Sequence, residues 1–516
     1  MRDLRMLGAV RRVMTLAAFA ALAACGGGGG GGGGAVSAPA LAAPAAADPV
    51  VASSTVAGMC ASPRGGLDPA TGVAYPDRSG SAADEKTWVR GWIDETYLWF
   101  DEVPTNLVAA NYATPVSYFD ALKTPQLAAS GRAKDRYHFT LPTADYRAQS
   151  QSGIGVGYGF ELALLSASPP RDVRVAFSEP DSPAAQAGIV RGTKLVAIDG
   201  IDVANGTNVA ALNAALAPAQ AGETHSFTLR APDGGERAVT LTSARITQTP
   251  VQNVKIFSTP SGSVGYLQFN EHLATAEVQL LAAFNQFLAA GVSDLVLDMR
   301  YNGGGLLDIA SELAYMIGPT AATNGTVFER MQFNRKNPFG LDLALPFYST
   351  TRGLSAPPLQ PLPKLGLSRV TVLTGPDTCS ASESVVNGLR GVGVAVNLVG
   401  GATCGKPYGF FPQDNCGTTY FAIQFRGVNQ QGFGDYSDGF VPTCTVADDF
   451  DHALGDLAEG RLAAALALRS TGACPTPSAN KAEVARSKVE AGGTPYLVRS
   501  PLRENRIVSP PGASPG

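Results

Sequence analysis

The 516-residue sequence predicts a multi-domain α/β protein with a helical N-terminal region, a glycine-rich β segment and a mainly parallel sheet covered by helices. Three observations carry this prediction. An aromatic stripe at helical spacing occupies residues 84–100, residues 153–245 open on glycine alternating with apolar residues and continue as short strands between turns, and from about residue 250 strand-like and helix-like stretches alternate. At roughly 100 to 200 residues per domain the length holds about three domains, which excludes a small disulfide scaffold. Charged residues make up 16% of the chain and the formal net charge is −4. No basic surface for a phosphate backbone follows from that balance, so nucleic acid is excluded as a main partner.

At the N-terminus, Arg2, Arg5, Arg11 and Arg12 stand against one acid, Asp3, and precede the apolar run 13–24. A bilayer span takes about 20 residues, so this shorter run reads as the h-region of a secretory signal peptide over 1–24. Its end, Leu22-Ala23-Ala24-Cys25, resembles the lipobox of bacterial lipoproteins. That resemblance implies cleavage before Cys25, lipidation of Cys25 and, with Gly26 rather than Asp next, an anchor on the periplasmic side of the outer membrane. The alternative is a signal without lipid in which Cys25 is coincidental. The glycine run Gly26–Gly34 opens a flexible tether expected over 25–55. Beyond Cys25, the cysteines are Cys60, Cys379, Cys404, Cys416, Cys444 and Cys474, an even set suited to disulfides in an exported chain. Nearness in sequence favours Cys404–Cys416 and Cys444–Cys474. No CxxC or CxxH spacing occurs, so no metal is expected.

The helical N-terminal region is expected over 56–150. Trp88, Trp92 and Trp99, with Ile93 and Thr96, recur at helical spacing, and Pro104 ends the pattern. The stripe reads as a helix packed on a core.

Over 151–246, GIGVGYGFELAL and DVRVAFSEP read as strands, Asn208–Leu216 as a helix, and HSFTLR and AVTLT as strands flanking the turn Pro232-Asp233-Gly234-Gly235. The segment resembles a bacterial PDZ domain at Ser182-Pro183-Ala184, Ala187-Gly188-Ile189, Gly192 and Val196–Gly200, and departs from it at Thr193, where such domains carry Asp. The resemblance implies a loop, Gly153–Phe160, whose N–H groups grip a peptide C-terminus while the peptide adds to an open sheet edge. Gly153, Ile154, Gly155, Val156 and Gly157 are then the substrate-binding residues. A dinucleotide loop is disfavoured because Tyr158 stands where GxGxxG needs glycine.

The core is expected over 247–475. Strands Val264–Phe269, Asp294–Met299, Val370–Thr374 and Val394–Val399 alternate with helices Thr275–Ala290, Leu306–Ile317 and Ser382–Leu389. Such units make a parallel sheet whose sites lie at the strands' C-terminal ends. Two turns fall there: Asn302-Gly303-Gly304-Gly305, and the turn containing Ser380-Ala381-Ser382-Glu383. A serine on a strand-to-helix turn has an exposed Oγ and helix N–H groups beside it. Ser382-Glu383 alone would read only as a helix start. A third turn, Gly405-Lys406-Pro407, ends the next strand.

The order of PDZ-like segment, NGGG turn, SASE turn and GK turn over about 150–445 resembles the C-terminal processing peptidases, or tail-specific proteases. The resemblance implies a crotonase/Clp-like α/β peptidase core, a serine endopeptidase activity without cofactor, and substrates that are unfolded or expose a C-terminus. By position Ser380 becomes the nucleophile and Lys406 the general base. The oxyanion falls to the N–H of Ala381 and one from Gly303–Gly305, with Gly304 favoured. A lysine base must be neutral, and lowering its pKa from about 10.4 by roughly three units takes about 4 kcal/mol of ammonium destabilisation, which burial supplies. Two departures stand out. Phe410 occupies the position where many members carry a lysine-orienting Gln, which leaves Gln413 or Glu383 for that task, and Pro407 replaces a glycine. Phe410 also keeps open a second reading, a non-catalytic peptide-binding lipoprotein with the same fold. A crotonase-like acyl-transfer enzyme is disfavoured by the PDZ-like segment. Cys379 is a chemical rival to Ser380 but is expected to be oxidised or structural. His138, His225, His272 and His452 are read as surface or helix-end residues, and no GxSxG motif supports a Ser-His-Asp triad. Residues 432–444 could form a loop near the active-site turn, 451–469 a capping helix, and 476–516 a disordered tail.

Overall fold

The computed structural model describes residues 49–475, apart from 70, 167, 168, 337, 341 and 342, together with the backbone of Arg506–Ile507. The expected signal peptide, Cys25 and most of the tether lie outside the described residues, as does nearly all of the expected disordered tail. Among the described residues no helix is long and apolar enough to cross a membrane.

The first long helix, Ala82–Thr96, starts at a capping box in which Ser81 Oγ accepts from Asp84 N and Asp84 accepts from Ser81 N. Trp88 and Trp92 stack with ring centroids 5.6 Å apart. The helix stops at Thr96 rather than running to Trp99, because tertiary bonds take over: Leu98 N donates to the Ile423 carbonyl at 2.7 Å and the Tyr97 hydroxyl to Asp135 at 2.6 Å. The aromatic cluster around Trp88, Trp92 and Phe119 takes in Phe410, Tyr420 and Phe421 from the C-terminal half. Phe139–Pro142 pairs antiparallel with Thr418–Phe421, and Cys60 is bonded to Cys416. The N-terminal region therefore shares a sheet, a core and a disulfide with the C-terminal half. With Cys416 taken, Cys404 bonds to Cys379 instead, correcting the expected Cys404–Cys416 pair, while Cys444–Cys474 forms as expected. Register explains the change, since Thr374 and Gly400 are neighbours at the ends of paired parallel strands and both cysteines follow from there.

Residues 154–247 form a second unit of antiparallel sheet. Its strands run in the order Glu236–Thr242, Thr224–Arg230, Lys194–Ile198, Asp172–Ser178, Phe160–Ser166, and the last is an edge. The helix Val209–Leu216, capped by Asn208, buries Leu212 against Val173, Leu195 and Phe227. Here one expectation is corrected. Gly153 is the left-handed C-cap of the helix Thr143–Ser152, and Ile154, Gly155, Val156 and Gly157 are a strand in register with Ala244–Thr247, not a loop. The ladder engages alternate main-chain groups of this stretch, and only Tyr158-Gly159 connects this strand to Phe160–Ser166.

The core sheet has the order Val251–Thr259, Gly262–Phe269, Asp294–Asp298, Arg369–Thr374, Ala395–Gly400, Cys444–Thr445, parallel after the first antiparallel pair. Side-chain alternation buries both faces. Leu267, Leu295, Leu297, Val370, Val372 and Leu398 pack under the helices Ala276–Ala289, Leu307–Ile317 and Ala381–Gly391. Val264, Tyr266, Val296, Leu373 and Val399 meet Leu462, Ala465 and Leu468 of the helix Gly460–Thr471. The buried Arg300, just past the strand Asp294–Asp298, donates to Asp298, Asp448 and Glu459 at 2.7–2.9 Å. That ion cluster fixes the approach to the Asn302 turn.

Candidate active site

Three strand-end turns converge. The first holds Ser380, which stands at the N-terminus of the helix Ala381–Gly391 with φ 58° and ψ −117°. A positive φ at a non-glycine residue costs on the order of 1–3 kcal/mol and persists only where the surroundings enforce it. It is also the conformation of a nucleophile elbow, reached here without the GxSxG sequence. Ala381 N is the first N–H of the helix, one of the donors that no helical carbonyl can satisfy. A donor at this position suits negative charge at the helix N-terminus.

The second turn is Asn302–Gly305. Asn302 is fully buried; its carbonyl accepts from Cys379 N and Ser382 Oγ, both at 3.1 Å, so it carries the Ser380 turn directly. Gly304 has φ +104°, and a Cβ there would lie 2.8 Å from Ser380 Cβ and 2.9 Å from Ala381 N. Only glycine fits. The expected role of Gly304 as an oxyanion donor is corrected, because its N–H already donates to Asn302 Oδ1 at 2.9 Å. Its contribution is close approach. His272, expected at the surface, is instead wholly buried with Nδ1 3.1 Å from the same Asn302 Oδ1. Asn302 Nδ2 donates to the Phe269 carbonyl, which leaves Oδ1 as an acceptor and assigns the imidazole proton to Nδ1. Burial pushes the His272 pKa down to about 3, so the ring is neutral at ordinary pH. A small cavity lies alongside, lined by Gln149, Ser150, Glu271, His272, Gly305 and Leu306 among others.

The third turn carries Lys406, wholly buried, with Nζ 4.5 Å from the ring centroid of Tyr137 and 4.6 Å from that of Phe410. Phe410 thus presents an aromatic face to Lys406 Nζ where many members of the resembled family carry an amide. Tyr137 comes from the N-terminal region, and its hydroxyl donates to the Gly405 carbonyl at 3.2 Å. Sequence reasoning missed it, and no local signal could have found a contact 268 residues away in the chain. Gly405 has φ +85° and lies against the loop expected near the site: a Cβ on it would be 2.3 Å from the Ser437 carbonyl.

Glu383 ties the first turn to the third. Its Oε2 accepts from Ser380 N at 3.0 Å and Lys406 N at 2.8 Å, and its Oε1 from Thr403 Oγ1 at 2.6 Å and Gly405 N at 2.9 Å. Burial raises its pKa above the usual carboxylate range, and the four donors oppose that shift. Of the two residues expected to orient the lysine, Glu383 meets the main chain of the lysine turn. Gln413 is exposed, and its amide reaches only the Asp414 carbonyl at 3.4 Å. The disulfide Cys379–Cys404 adds a covalent link between the same two turns, with Cα atoms 5.1 Å apart.

Finally, the backbone of Arg506–Ile507 pairs in parallel with Gly305–Leu306, so an extended segment of the chain itself lies beside the glycine turn.

An α/β core with helices on both faces of its sheet, a strained serine elbow, a glycine turn packed on it and a buried lysine on the next strand end defines a serine-hydrolase type of site. The profile of peptidase family S41 matches residues 263–412, and that of the peptidase S41 N-terminal domain matches residues 84–139. Over these residues the chain resembles peptidase family S41. It is similar to the carboxyl-terminal-processing protease of Picosynechococcus sp., 32% identical over 275 residues that cover 53% of this chain and 60% of the relative. It is also similar to the chloroplastic C-terminal processing peptidase of Tetradesmus obliquus, 31% identical over 180 residues, 32% of this chain and 38% of that one. The matches thus span about 60% of the length of the cyanobacterial relative and less of the algal one. A solved structure from Bacteroides fragilis assigned to the S41 proteases shares the fold, with TM-score 0.60 over 77% of this chain and 98% of the other at 24% identity.

Proposed function

We propose that this protein is an exported serine endopeptidase that cuts protein substrates near their C-termini by a Ser380–Lys406 dyad. The observation that carries the reading is the Glu383 carboxylate, whose single oxygen Oε2 accepts from the backbone N–H of both dyad residues. Two turns 26 positions apart in sequence are thereby fixed against each other at the sheet end where the elbow is strained.

In this mechanism Ser380 Oγ attacks the scissile carbonyl as its proton passes to Lys406 Nζ. The Ala381 N–H receives the developing oxyanion. Collapse of the tetrahedral intermediate expels the amine, which takes the proton from Lys406, and water repeats the sequence on the acyl-enzyme. Full burial of Lys406 supplies the desolvation that a neutral amine base requires.

Residues 154–247 serve, in this reading, as a PDZ domain. The strand Phe160–Ser166, last in the sheet order, accepts a substrate C-terminus as an added strand, with the turn at Tyr158-Gly159 beside its carboxylate. The strand formed by the chain's own Arg506–Ile507 on Gly305–Leu306 supports a cleft that takes extended peptide beside the nucleophile. The names of the cyanobacterial and algal relatives support C-terminal processing as the reaction. A lipid anchor at Cys25 would hold the enzyme on the periplasmic side of the outer membrane.

The test is cleavage of a denatured reporter protein with an apolar C-terminal tail by the purified chain, beside Ser380→Ala and Lys406→Ala. Both variants should lose at least about 10³-fold in kcat. Cleavage that persists in Ser380→Ala refutes the dyad.

A further inference from the structure

The disulfide Cys379–Cys404 has no place in the mechanism above, yet no other covalent link in the described residues lies so close to it. Cys379 directly precedes the nucleophile and is fully buried; Cys404 stands two residues before the lysine and is half-buried. Both sulfurs and a carboxylate oxygen of Glu383 lie within 4.8 Å of one another. The other two disulfides, Cys60–Cys416 and Cys444–Cys474, fasten other parts of the chain.

We propose that Cys379–Cys404 is a positioning element of the dyad, so that its reduction displaces Lys406 from Ser380 and switches the peptidase off while the fold persists. The proposal rests on the Ser–Lys reading. Reduction breaks the sulfur–sulfur bond, each sulfur takes a proton, and a dithiol reductant is oxidised to its own disulfide in exchange.

Two consequences follow from the geometry. Unlinked sulfurs cannot remain at covalent distance, because non-bonded heavy atoms settle at about 3.5–4.0 Å. The sulfurs must therefore separate, by side-chain rotation or by a shift of one of the two turns, and each turn carries a dyad residue within two positions. Second, Cys404 Sγ lies 3.3 Å from Glu383 Oε2. In the disulfide that sulfur has no proton to give. As a thiol it can donate to the oxygen that already accepts from Ser380 N and Lys406 N, and so competes with the bonds that align the dyad. The strained φ of Ser380 lowers the threshold further, since a strained conformer relaxes when one of its restraints is released. A misplacement of about 1 Å at a reacting group can cost roughly 10²-fold in rate.

The remaining restraints explain why the fold should persist. Cys404 N still donates to the Thr378 carbonyl at 3.0 Å, and Cys379 N to the Asn302 carbonyl at 3.1 Å. The half-buried Cys404 gives a reductant its point of attack.

The experiment equilibrates the purified chain in dithiothreitol buffers of graded potential. It follows reporter cleavage, the redox state of each cysteine by alkylation and mass spectrometry, and amide hydrogen exchange of the segment 401–410. The expected result is a loss of kcat of at least about 30-fold that tracks reduction of Cys379–Cys404, a change in KM below about threefold, and faster exchange at Gly405 and Lys406. The double variant Cys379→Ala/Cys404→Ala should be slow under all conditions and insensitive to reductant. Full activity with Cys379 and Cys404 alkylated as free thiols overturns the proposal. Should the oxidised parent cleave nothing, the Ser–Lys reading fails separately. Hydrogen exchange then decides the positioning claim: unchanged exchange at 405–406 on reduction overturns it, and faster exchange supports it.

Discussion

Replacing Glu383 by Gln removes one charge and two acceptor lone pairs at the point where the serine and lysine turns meet. The carboxylate accepts four bonds, two on each oxygen. A glutamine offers one oxygen and one NH2 group. With the NH2 on the Oε2 side it faces two N–H donors, from Ser380 and Lys406, and both are lost. With the NH2 on the Oε1 side, the Thr403 hydroxyl can turn to accept from it, and only Gly405 N is stranded. The second orientation is the cheaper. One unsatisfied buried donor costs about 1–3 kcal/mol. Converting two charge-assisted bonds to neutral ones loses about half of each, or roughly 1 kcal/mol apiece. The expected total is about 3–5 kcal/mol, shared between global stability and the alignment of the dyad. Urea unfolding should report a loss of at least about 2 kcal/mol, and reporter cleavage a fall in kcat of roughly 10- to 10³-fold with KM changed little. A Glu383→Gln variant that keeps kcat within twofold and stability within about 0.5 kcal/mol refutes the view that this carboxylate aligns the site.

Gly304→Ala places a methyl group 2.8–2.9 Å from Ser380 Cβ, Ala381 N and the Cys379 carbonyl at a φ that alanine avoids, so kcat should fall at least about 10²-fold in cleavage assays. The melting temperature should fall with it. Glu312 is buried beside Glu277, and burial first, then that neighbour, pushes its pKa up to about 9. A raised folded-state value means stability that is complete below the unfolded carboxylate range and is lost as pH rises towards 9. Urea unfolding at pH 5, 7 and 9 should show this decline in the parent, and Glu312→Gln should gain on it as pH rises. Deleting residues 476–516 removes the strand that occupies Gly305–Leu306, so KM for a peptide substrate should fall with kcat unchanged in steady-state kinetics.

The parts of this structure that were legible in the sequence are those fixed by local signals. The apolar run Asp294–Asp298 and the strand Arg369–Thr374 are buried on both faces and read as continuous hydrophobic stretches. The glycine and serine turns that follow them could be placed because a parallel sheet puts its sites at strand ends. What the sequence hid was long-range or two-valued. Cys60–Cys416 spans 356 residues, and Tyr137 reaches Lys406 from the N-terminal region. His272 gave no periodic cue to its burial, and the Asn302 side chain that its ring meets comes from a turn 30 residues further along the chain. The stretch Gly153–Gly157 was ambiguous by composition: alternating glycine and β-branched residues suit either a grip loop or a strand, and the available partner, Ala244–Thr247, decided for the strand.

The elbow at Ser380 shows why those hidden contacts matter for the chemistry. A backbone conformation costing on the order of 1–3 kcal/mol would relax in an isolated strand–turn–helix unit. Here it is over-determined: Glu383 holds Ser380 N from the helix side, Asn302 holds Cys379 N from the neighbouring strand end, Gly304 closes the space into which the turn would relax, and Cys379–Cys404 ties it to the lysine turn. The four restraints come from three stretches of sequence, the helix after Ser380, the Asn302–Gly305 turn and the turn at Cys404, and none is needed for the sheet itself to form. A site assembled in this way separates stability from alignment. The core can survive loss of one restraint while the nucleophile shifts by the fraction of an ångström that matters to proton transfer, so damage to any of the four should appear in kcat before it appears in the fold.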